Sequence, residues 1–316
     1  MHDTTLAVID LGTNTFHILI AQLREDRTYR VVYRRRIPVM IGKGGINQGL
    51  ITEEGQERAL AALRQFADLI QEYRVAQVRA TATSAFRNAR NGEALRQRVL
   101  EETGIRIDII DGTQEAEYIF MGVKEALSLG TAPVLIMDIG GGSVEFILSS
   151  GQQVRWKQSF EIGAQRLLDR FTIQDPISPE NLEQLTAYFQ STLSDLLTAA
   201  QQWQPRVLIG ASGTFETLCD IHAHQHQLTV DGEACELPIS ADSFSLILQD
   251  LLRKTRSERL ATPGMIEMRV DMIVVAAWLI QFVLQRLSLR DLRVSAYALK
   301  EGVLREMVEN FDYLKN

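Results

Sequence analysis

The sequence predicts an α/β protein that runs through one plan twice, in two lobes, and three observations predict it. The chain has 316 residues, 46% hydrophobic and 23% charged, more than one hydrophobic core of about 250–300 residues usually accommodates. Strand-length apolar runs alternate with segments of helical periodicity, which is α/β wiring. A strand–corner–strand unit that opens the chain returns in its middle. Asp10-Leu11-Gly12-Thr13 and Asp138-Ile139-Gly140-Gly141 both close a first strand with an aspartate two residues before a glycine, and the pattern reads as a duplication. This composition excludes a disordered chain and a coiled coil.

Taken in order, Leu6–Asp10 and Thr15–Leu23 read as strands joined by the turn 11–14, and Tyr29–Arg35 continues the β character after a polar turn. Ile41-Gly42-Lys43-Gly44-Gly45 reads as a mobile glycine loop. Thr52 is placed to cap a helix whose Ala59, Leu63, Phe66, Ile70 and Tyr73 recur every three or four residues. Val78–Thr83 is a strand ending in a polar loop over Ser84–Asn91, a helix runs from about Glu93 to Thr103, and Ile105–Ile110 alternates as a strand. The second half repeats the opening with strands at Val134–Ile139, Val144–Ser149 and Gln153–Phe160. A helix-rich stretch follows over Ala164–Gln202, then a strand at Val207–Ile209 and the turn Gly210-Ala211-Ser212-Gly213-Thr214 leading into a helix. Val294–Ala298 reads as the last strand, before a terminal helix to about Asn310.

Composition also limits function. Cys219 and Cys235 are too few for a disulfide framework or a four-thiolate metal site and read as reduced thiols, which points to the cytoplasm. Met1–Leu6 shows no basic segment leading into an apolar one, so no signal peptide is expected. The longest apolar run, Met272–Ile280, falls short of the ~20 residues of a membrane span and reads as a buried helix, so no membrane partner is expected. A formal charge of −7 argues against nucleic acid as a partner, because non-specific binding there needs a broad basic surface.

Turns rich in Gly, Ser and Thr at strand ends expose backbone N–H groups in a concavity that accepts phosphate oxygens. Gly12-Thr13-Asn14-Thr15, Gly140-Gly141-Gly142-Ser143 and Gly213-Thr214 are three such turns. An aspartate at the start of a turn repels phosphate directly but can hold a hydrated Mg²⁺ that bridges to it. Arg87, in the loop after the Val78–Thr83 strand, is the leading side-chain clamp, since guanidinium grips phosphate bidentately. Arg269 and Arg90 are further candidates. His222 and His226 share a helix face without a carboxylate motif nearby and read as a solvated helix end. The stripe of Ile273, Val274, Ala277, Trp278 and Phe282 reads as core.

Asp10-Leu11-Gly12-Thr13-Asn14-Thr15-Phe16-His17 resembles the N-terminal motif of the exopolyphosphatase and guanosine pentaphosphate phosphohydrolase (Ppx/GppA) family. Four further blocks agree in order: Thr81–Ala89, Ile110–Glu117, Asp138–Glu145 and Gly210–Thr214. The resemblance extends to Pro263-Gly264-Met265 with Arg269 and Asp271, and to Ser295–Gly302. It implies the duplicated actin-like, Hsp70-like ATPase fold of ribonuclease H-like topology, with an active site in a cleft between the lobes. The lobes are then expected at 1–124 plus 300–316 and at 125–299, in the short two-domain form. Homodimers are a further expectation from the family.

The resemblance makes Glu115 the carboxylate that activates the attacking water, and Asp138 and Glu145 the holders of Mg²⁺ with Asp10 as an outer-sphere ligand. It implies release of terminal orthophosphate from inorganic polyphosphate, with guanosine pentaphosphate (pppGpp) as a second substrate and the tetraphosphate as a ligand. The family commonly has an acid just before the catalytic glutamate and an arginine two residues after it, where this chain has Gln114 and Glu117. His17 stands where many members have arginine. Two rival readings stay open: a guanosine tetraphosphate sensor with little turnover, and an ATPase or sugar kinase of the same fold.

Overall fold

The computed structural model describes residues 4–311. Its chain divides into two compact units, Met1–Gly122 with Leu299–Asn316 and Val123–Ala298. Residues 1–3 and 312–316 of the expected first lobe lie outside the described residues.

The first unit opens with β1 (Thr4–Leu11), β2 (Thr15–Leu23) and β3 (Tyr29–Pro38), an antiparallel meander in which Asp10 faces His17 and His17 faces Arg36. A single 3₁₀ turn (Ile46–Gln48) precedes α1 (Glu53–Glu72). The Thr52 hydroxyl accepts the Gly55 N–H and closes the start of α1. Next come β4 (Gln77–Ala82), α2 (Ser84–Asn88), α3 (Gly92–Thr103), β5 (Ile107–Ile109) and α4 (Gly112–Ala126). The sheet order is β3-β2-β1-β4-β5, with β4 parallel to both β1 and β5. Ile9, Leu11, Ile18 and Ile20 on one sheet face join Leu63 and Phe66 of α1 and Val99 of α3 in a buried core.

The second unit repeats the wiring. β6 (Pro133–Ile139), β7 (Val144–Ser150) and β8 (Gln153–Phe160) form its meander. Helices α5 (Ala164–Arg170), α6 (Pro179–Thr192) and α7 (Ser194–Trp203) lead to β9 (Val207–Ala211) and α8 (Gly213–His226). The short β10 (Glu236–Leu237) comes next, followed by α9 (Ala241–Arg253), α10 (Arg256–Leu260), α11 (Ile273–Arg286) and β11 (Asp291–Ser295). Read from β8, the order β8-β7-β6-β9-β11 matches β3-β2-β1-β4-β5, antiparallel and parallel pairs included, with β10 added outside β11. α11 is apolar on nearly all sides and sits in the core against α5, α6, α8 and α9. The last helix, α12 (Leu299–Glu309), belongs to the first unit and packs on β1. It approaches α4 so closely that a Cβ on Gly302 would lie 1.9 Å from the Tyr118 carbonyl oxygen. Among the described residues no helix is long and apolar enough to cross a membrane.

Four local expectations need correction. The Ile41–Gly45 loop is stitched down: the Val39 and Met40 N–H groups donate to the Asn14 carbonyl at 2.9 and 3.0 Å, and Gly42 N–H to that of Thr13 at 3.3 Å. The polar loop over 84–91 contains α2, because Ala85 and Phe86 are buried anchors and the Asn88 amide donates to the Ser84 carbonyl at 2.9 Å. The strand expected over 105–110 pairs with β4 only at Ile107–Ile109. The last strand lies three residues earlier than its apolar run suggested. Ser295 Oγ accepts the Tyr297 N–H at 3.1 Å and donates to its carbonyl at 2.7 Å, turning the chain out of the sheet.

Candidate active site

In the first unit, the corner between β1 and β2 is tight: a Cβ on Gly12 would lie 3.0 Å from the Thr15 carbonyl. Thr13, Asn14 and Thr15 are buried, and their turn is backed by the 39–42 segment. Asp10 sits at the carboxyl end of β1, half-buried, with Thr81 of β4 on one side and His17 on the other. Parallel α/β sheets offer ligands this edge, beyond the carboxyl ends of their strands.

Arg87 and Glu115 come together at the same edge. α2 carries Arg87 away from the end of β4, while β5 ends at Ile109 and leads into α4. The Asp111 carboxylate accepts the N–H groups of Thr113 and Gln114, both at 2.8 Å, and so starts the helix. Glu115 therefore falls in the first turn of α4, where a negative charge suits the helix dipole. Arg87 Nη1 donates to Glu115 Oε2 at 2.8 Å and to the Ile110 carbonyl at 3.1 Å. The pair is largely closed off, with side chains 17% and 8% exposed. The arginine read from the sequence as a phosphate clamp thus directly engages the glutamate read as the base. It supplies a cation beside Glu115.

Gln114 has its own place. Its amide donates to the Tyr118 hydroxyl at 3.2 Å, and that hydroxyl donates to Glu306 of α12 at 2.9 Å. Burial pushes the Tyr118 hydroxyl up, and the neighbouring Glu306 adds to the shift. Arg79 of β4 also reaches this hydroxyl, at 3.2 Å. An acid at position 114 could not donate to Tyr118 when ionised, so the amide fits this network.

In the second unit, the corner between β6 and β7 repeats the geometry, since a Cβ on Gly140 would lie 3.1 Å from the Ser143 carbonyl. Asp138 and Glu145 face each other in the antiparallel register, both buried. Side chains in such a pair have Cβ atoms about 4.5–5.5 Å apart. Ser159 of β8 donates to Glu145 Oε1 at 2.6 Å. The glycine turn is held from outside by Arg166 of α5, whose Nε donates to the Gly142 carbonyl at 3.0 Å and whose Nη2 donates to Glu161 at 2.7 Å. Gly163 admits this contact, because a Cβ there would lie 2.4 Å from the Gly141 carbonyl carbon. Next to the corner, Ala211 pairs with Asp138 at the end of β9, and Gly213-Thr214 begin α8. The Arg269 guanidinium rests on Gly213 so closely that a Cβ there would lie 2.0 Å from Nη2.

Sequence reading missed Arg166 and Ser159, which carry no motif and act only through contacts made on folding. Arg90 is exposed and reaches the Gln48 carbonyl at 3.4 Å, away from Glu115's partners. His222 and His226 lie side by side at the end of α8 with ring centroids 4.5 Å apart and planes tilted by 53°, and burial followed by the neighbouring imidazole pushes His222 down. Both cysteines are free thiols.

The Asp138–Glu145 pair fits Mg²⁺. Two adjacent carboxylates supply hard oxygen ligands and repel one another until a cation lies between them. Among the described residues no three His, Cys, Asp or Glu side chains are grouped to hold a metal. The pair would leave the remaining positions to water or phosphate oxygens, the mode Mg²⁺ prefers.

Two units of the same α/β wiring, each with a tight glycine corner at its carboxyl edge, define a protein of the actin-like ATPase type. The model of the Ppx/GppA phosphatase family matches residues 19–311, and the chain belongs to that family. A crystal structure described as an exopolyphosphatase from Cytophaga hutchinsonii is 43% identical, with a TM-score of 0.95, covering 98% of this chain and 99% of that one. The Aquifex aeolicus family member superposes with a TM-score of 0.78 at 26% identity, covering 98% of this chain and all of its own. Exopolyphosphatase 1 of Mycobacterium leprae is 24% identical over 306 residues, 96% of this chain and 90% of that protein.

Proposed function

We propose that this chain is a Mg²⁺-dependent exopolyphosphatase that releases terminal orthophosphate from inorganic polyphosphate in the cytoplasm and also takes pppGpp. The observation that carries this reading is the buried Arg87–Glu115 pair at the carboxyl edge of the first sheet, in a chain 43% identical to a protein described as an exopolyphosphatase.

In this reading water attacks the terminal phosphorus, the bridging P–O bond breaks, and orthophosphate leaves a chain one unit shorter. Glu115 accepts the proton of the attacking water through Oε1 or Oε2, and Arg87 fixes the carboxylate's orientation. Backbone N–H groups of Gly12–Thr15, Gly140–Ser143 and Gly213–Thr214 receive phosphate oxygens, with Arg269 beside the last. Asp138 and Glu145 would hold Mg²⁺, with Asp10 in an outer-sphere role, and the ion when bound neutralises phosphate charge. Ser159 orients the Glu145 carboxylate for that task.

Orthophosphate release from long-chain polyphosphate, with and without Mg²⁺, tests the reading. Glu115→Gln should lower kcat by about 10²–10⁴ while leaving polyphosphate binding near its original strength. An unchanged kcat in the folded variant would move the base elsewhere. Binding of guanosine tetraphosphate without release from any phosphate chain would favour the sensor instead.

A further inference from the structure

Between Arg24 and Arg36 the chain carries six arginines and two acids, although its net charge is −7. These arginines do not form one patch. Arg24 and Arg27 lie in the turn that opens β3, alongside Asp26, which accepts from Thr28 N–H and Oγ at 2.9 and 2.6 Å. Arg35 donates to Gln65 of α1 at 2.8 Å, so it lies on the sheet face that α1 covers. Arg34 and Arg36 alternate with it and share the opposite face. Both are exposed, and β3 is an edge strand.

The register shows what that opposite face carries. Arg36 faces His17, His17 faces Asp10, and Asp10 faces Thr81, so the four form one row across β3, β2, β1 and β4. Arg34 lies one row back, opposite Leu19, then Val8, then Arg79. Arg79 bonds the Tyr118 hydroxyl of α4, which puts the helix bearing Glu115 on this same face. β3 runs parallel to β1, so Arg36 also lies near the carboxyl edge where Arg87 and Glu115 meet.

We propose that Arg34 and Arg36, with His17 beside them, form a second anion subsite that holds the distal phosphates of a polyphosphate chain whose terminal phosphate is bound near Glu115. The proposal rests on the exopolyphosphatase reading for the position of the terminal phosphate. At a strand spacing of ~4.8 Å, β1, whose corner receives phosphate in that reading, and β3 are separated by roughly 10 Å across the sheet, farther than a single orthophosphate extends. A long chain would therefore reach the subsite from that corner and a bound orthophosphate would not. Charge on an edge strand also discourages edge-to-edge pairing, but that role does not call for arginines on the Asp10 face at the corner end of the strand. The equivalent row of the second unit ends in Ser159, not a cation.

The experiment is calorimetric binding of long-chain polyphosphate and of orthophosphate to the whole chain and three double variants. Arg34→Gln/Arg36→Gln should weaken long-chain binding by about tenfold or more, the value of one charge-assisted hydrogen bond, with orthophosphate little changed. Arg34→Lys/Arg36→Lys should recover most of the long-chain loss. Arg24→Gln/Arg27→Gln removes the same charge at the far end of β3 and should alter neither ligand. Unchanged long-chain affinity in Arg34→Gln/Arg36→Gln would leave these arginines as edge protection only. Equal losses in that variant and in Arg24→Gln/Arg27→Gln would reduce the effect to diffuse charge and overturn the subsite. Orthophosphate release is followed in parallel. A chain that shows the binding difference but releases nothing would overturn the exopolyphosphatase reading and leave the subsite standing.

Discussion

Two rows of side chains occupy the same place in the two units. In the first, Asp10, His17 and Arg36 stand opposite one another across β1, β2 and β3; in the second, Asp138, Glu145 and Ser159 stand across β6, β7 and β8. The backbone is held to one pattern, down to the glycine in each corner, on which a Cβ would lie 3.0 or 3.1 Å from a carbonyl oxygen. The chemistry diverges. Asp–Glu–Ser is a set of oxygen ligands with a hydroxyl donor behind them, suited to a hydrated divalent cation. Asp–His–Arg places donors and positive charge beside a single carboxylate, suited to an anion. A duplicated fold thus supplies equivalent corners, and the roles proposed for the two rows diverge through the side chains at the second and third positions of each.

The sharpest way to break this contrast is to neutralise the two carboxylates of the second row and to replace the middle residue of the first. Glu145→Gln and Asp138→Asn should each weaken apparent Mg²⁺ affinity at least about tenfold, already a typical cost of losing an outer-shell partner. His17→Gln should leave Mg²⁺ affinity unchanged. Titration of activity with Mg²⁺, alongside calorimetric Mn²⁺ binding, measures both. Equal weakening by His17→Gln and Glu145→Gln would show that His17 serves the metal as directly as Glu145 and would erase the contrast.

A second test addresses the shared backbone. Gly12→Ala and Gly140→Ala each drive a Cβ to about the same distance from a turn carbonyl, so the two should destabilise by similar amounts, about 1–3 kcal/mol for a tight contact that the neighbour must relieve. Urea unfolding of both variants measures this. A large inequality would mean that the corners are equivalent in trace but not in stiffness.

These corners could be read from sequence because strand–turn–strand patterning is local: Asp10 to His17 and Asp138 to Glu145 each span a single hairpin. Glu115 and Arg87 were legible as residues but not as a pair. Their contact depends on α2 leaving β4 and α4 leaving β5 at neighbouring strand ends, which no periodicity encodes. α4 itself went unread, although Asp111 followed by the Thr113 and Gln114 N–H groups is a local start signal. α9 went unread as well, despite Ser240 accepting the Ser243 N–H at its start. Arg166 and Ser159 were out of reach, since each matters only for the carbonyl or carboxylate that folding brings to it. The displaced last strand shows the opposite failure. Val294–Ala298 looks like a strand, but the Ser295 hydroxyl bonds the backbone at Tyr297 and ends pairing early.

The smallest effect concerns the sheet edges. The first unit ends its sheet at β5, whereas the second covers the equivalent strand, β11, with β10 and ties the two strands by Arg293 and Glu236, at 2.7 and 2.9 Å. Arg293 also donates to the Ser128 carbonyl at 2.9 Å. Its guanidinium holds the Glu236 carboxyl below the ordinary range near 4.5. A carboxyl lowered in the folded state stabilises it fully above its unfolded value, and that contribution is lost as pH falls through the folded one. Both side chains are substantially exposed, at 31% and 46%, so solvent screening keeps the pair to about 0.2–1 kcal/mol. Glu236→Gln should therefore lower the Tm slightly at neutral pH, and the difference from the parent chain should shrink and vanish on acidification below the carboxylate range. Thermal unfolding of both proteins across that range measures it. A difference that persists in acid would mean that Glu236 acts through packing of β10, and that the edge is closed by the strand itself and not by the ion pair.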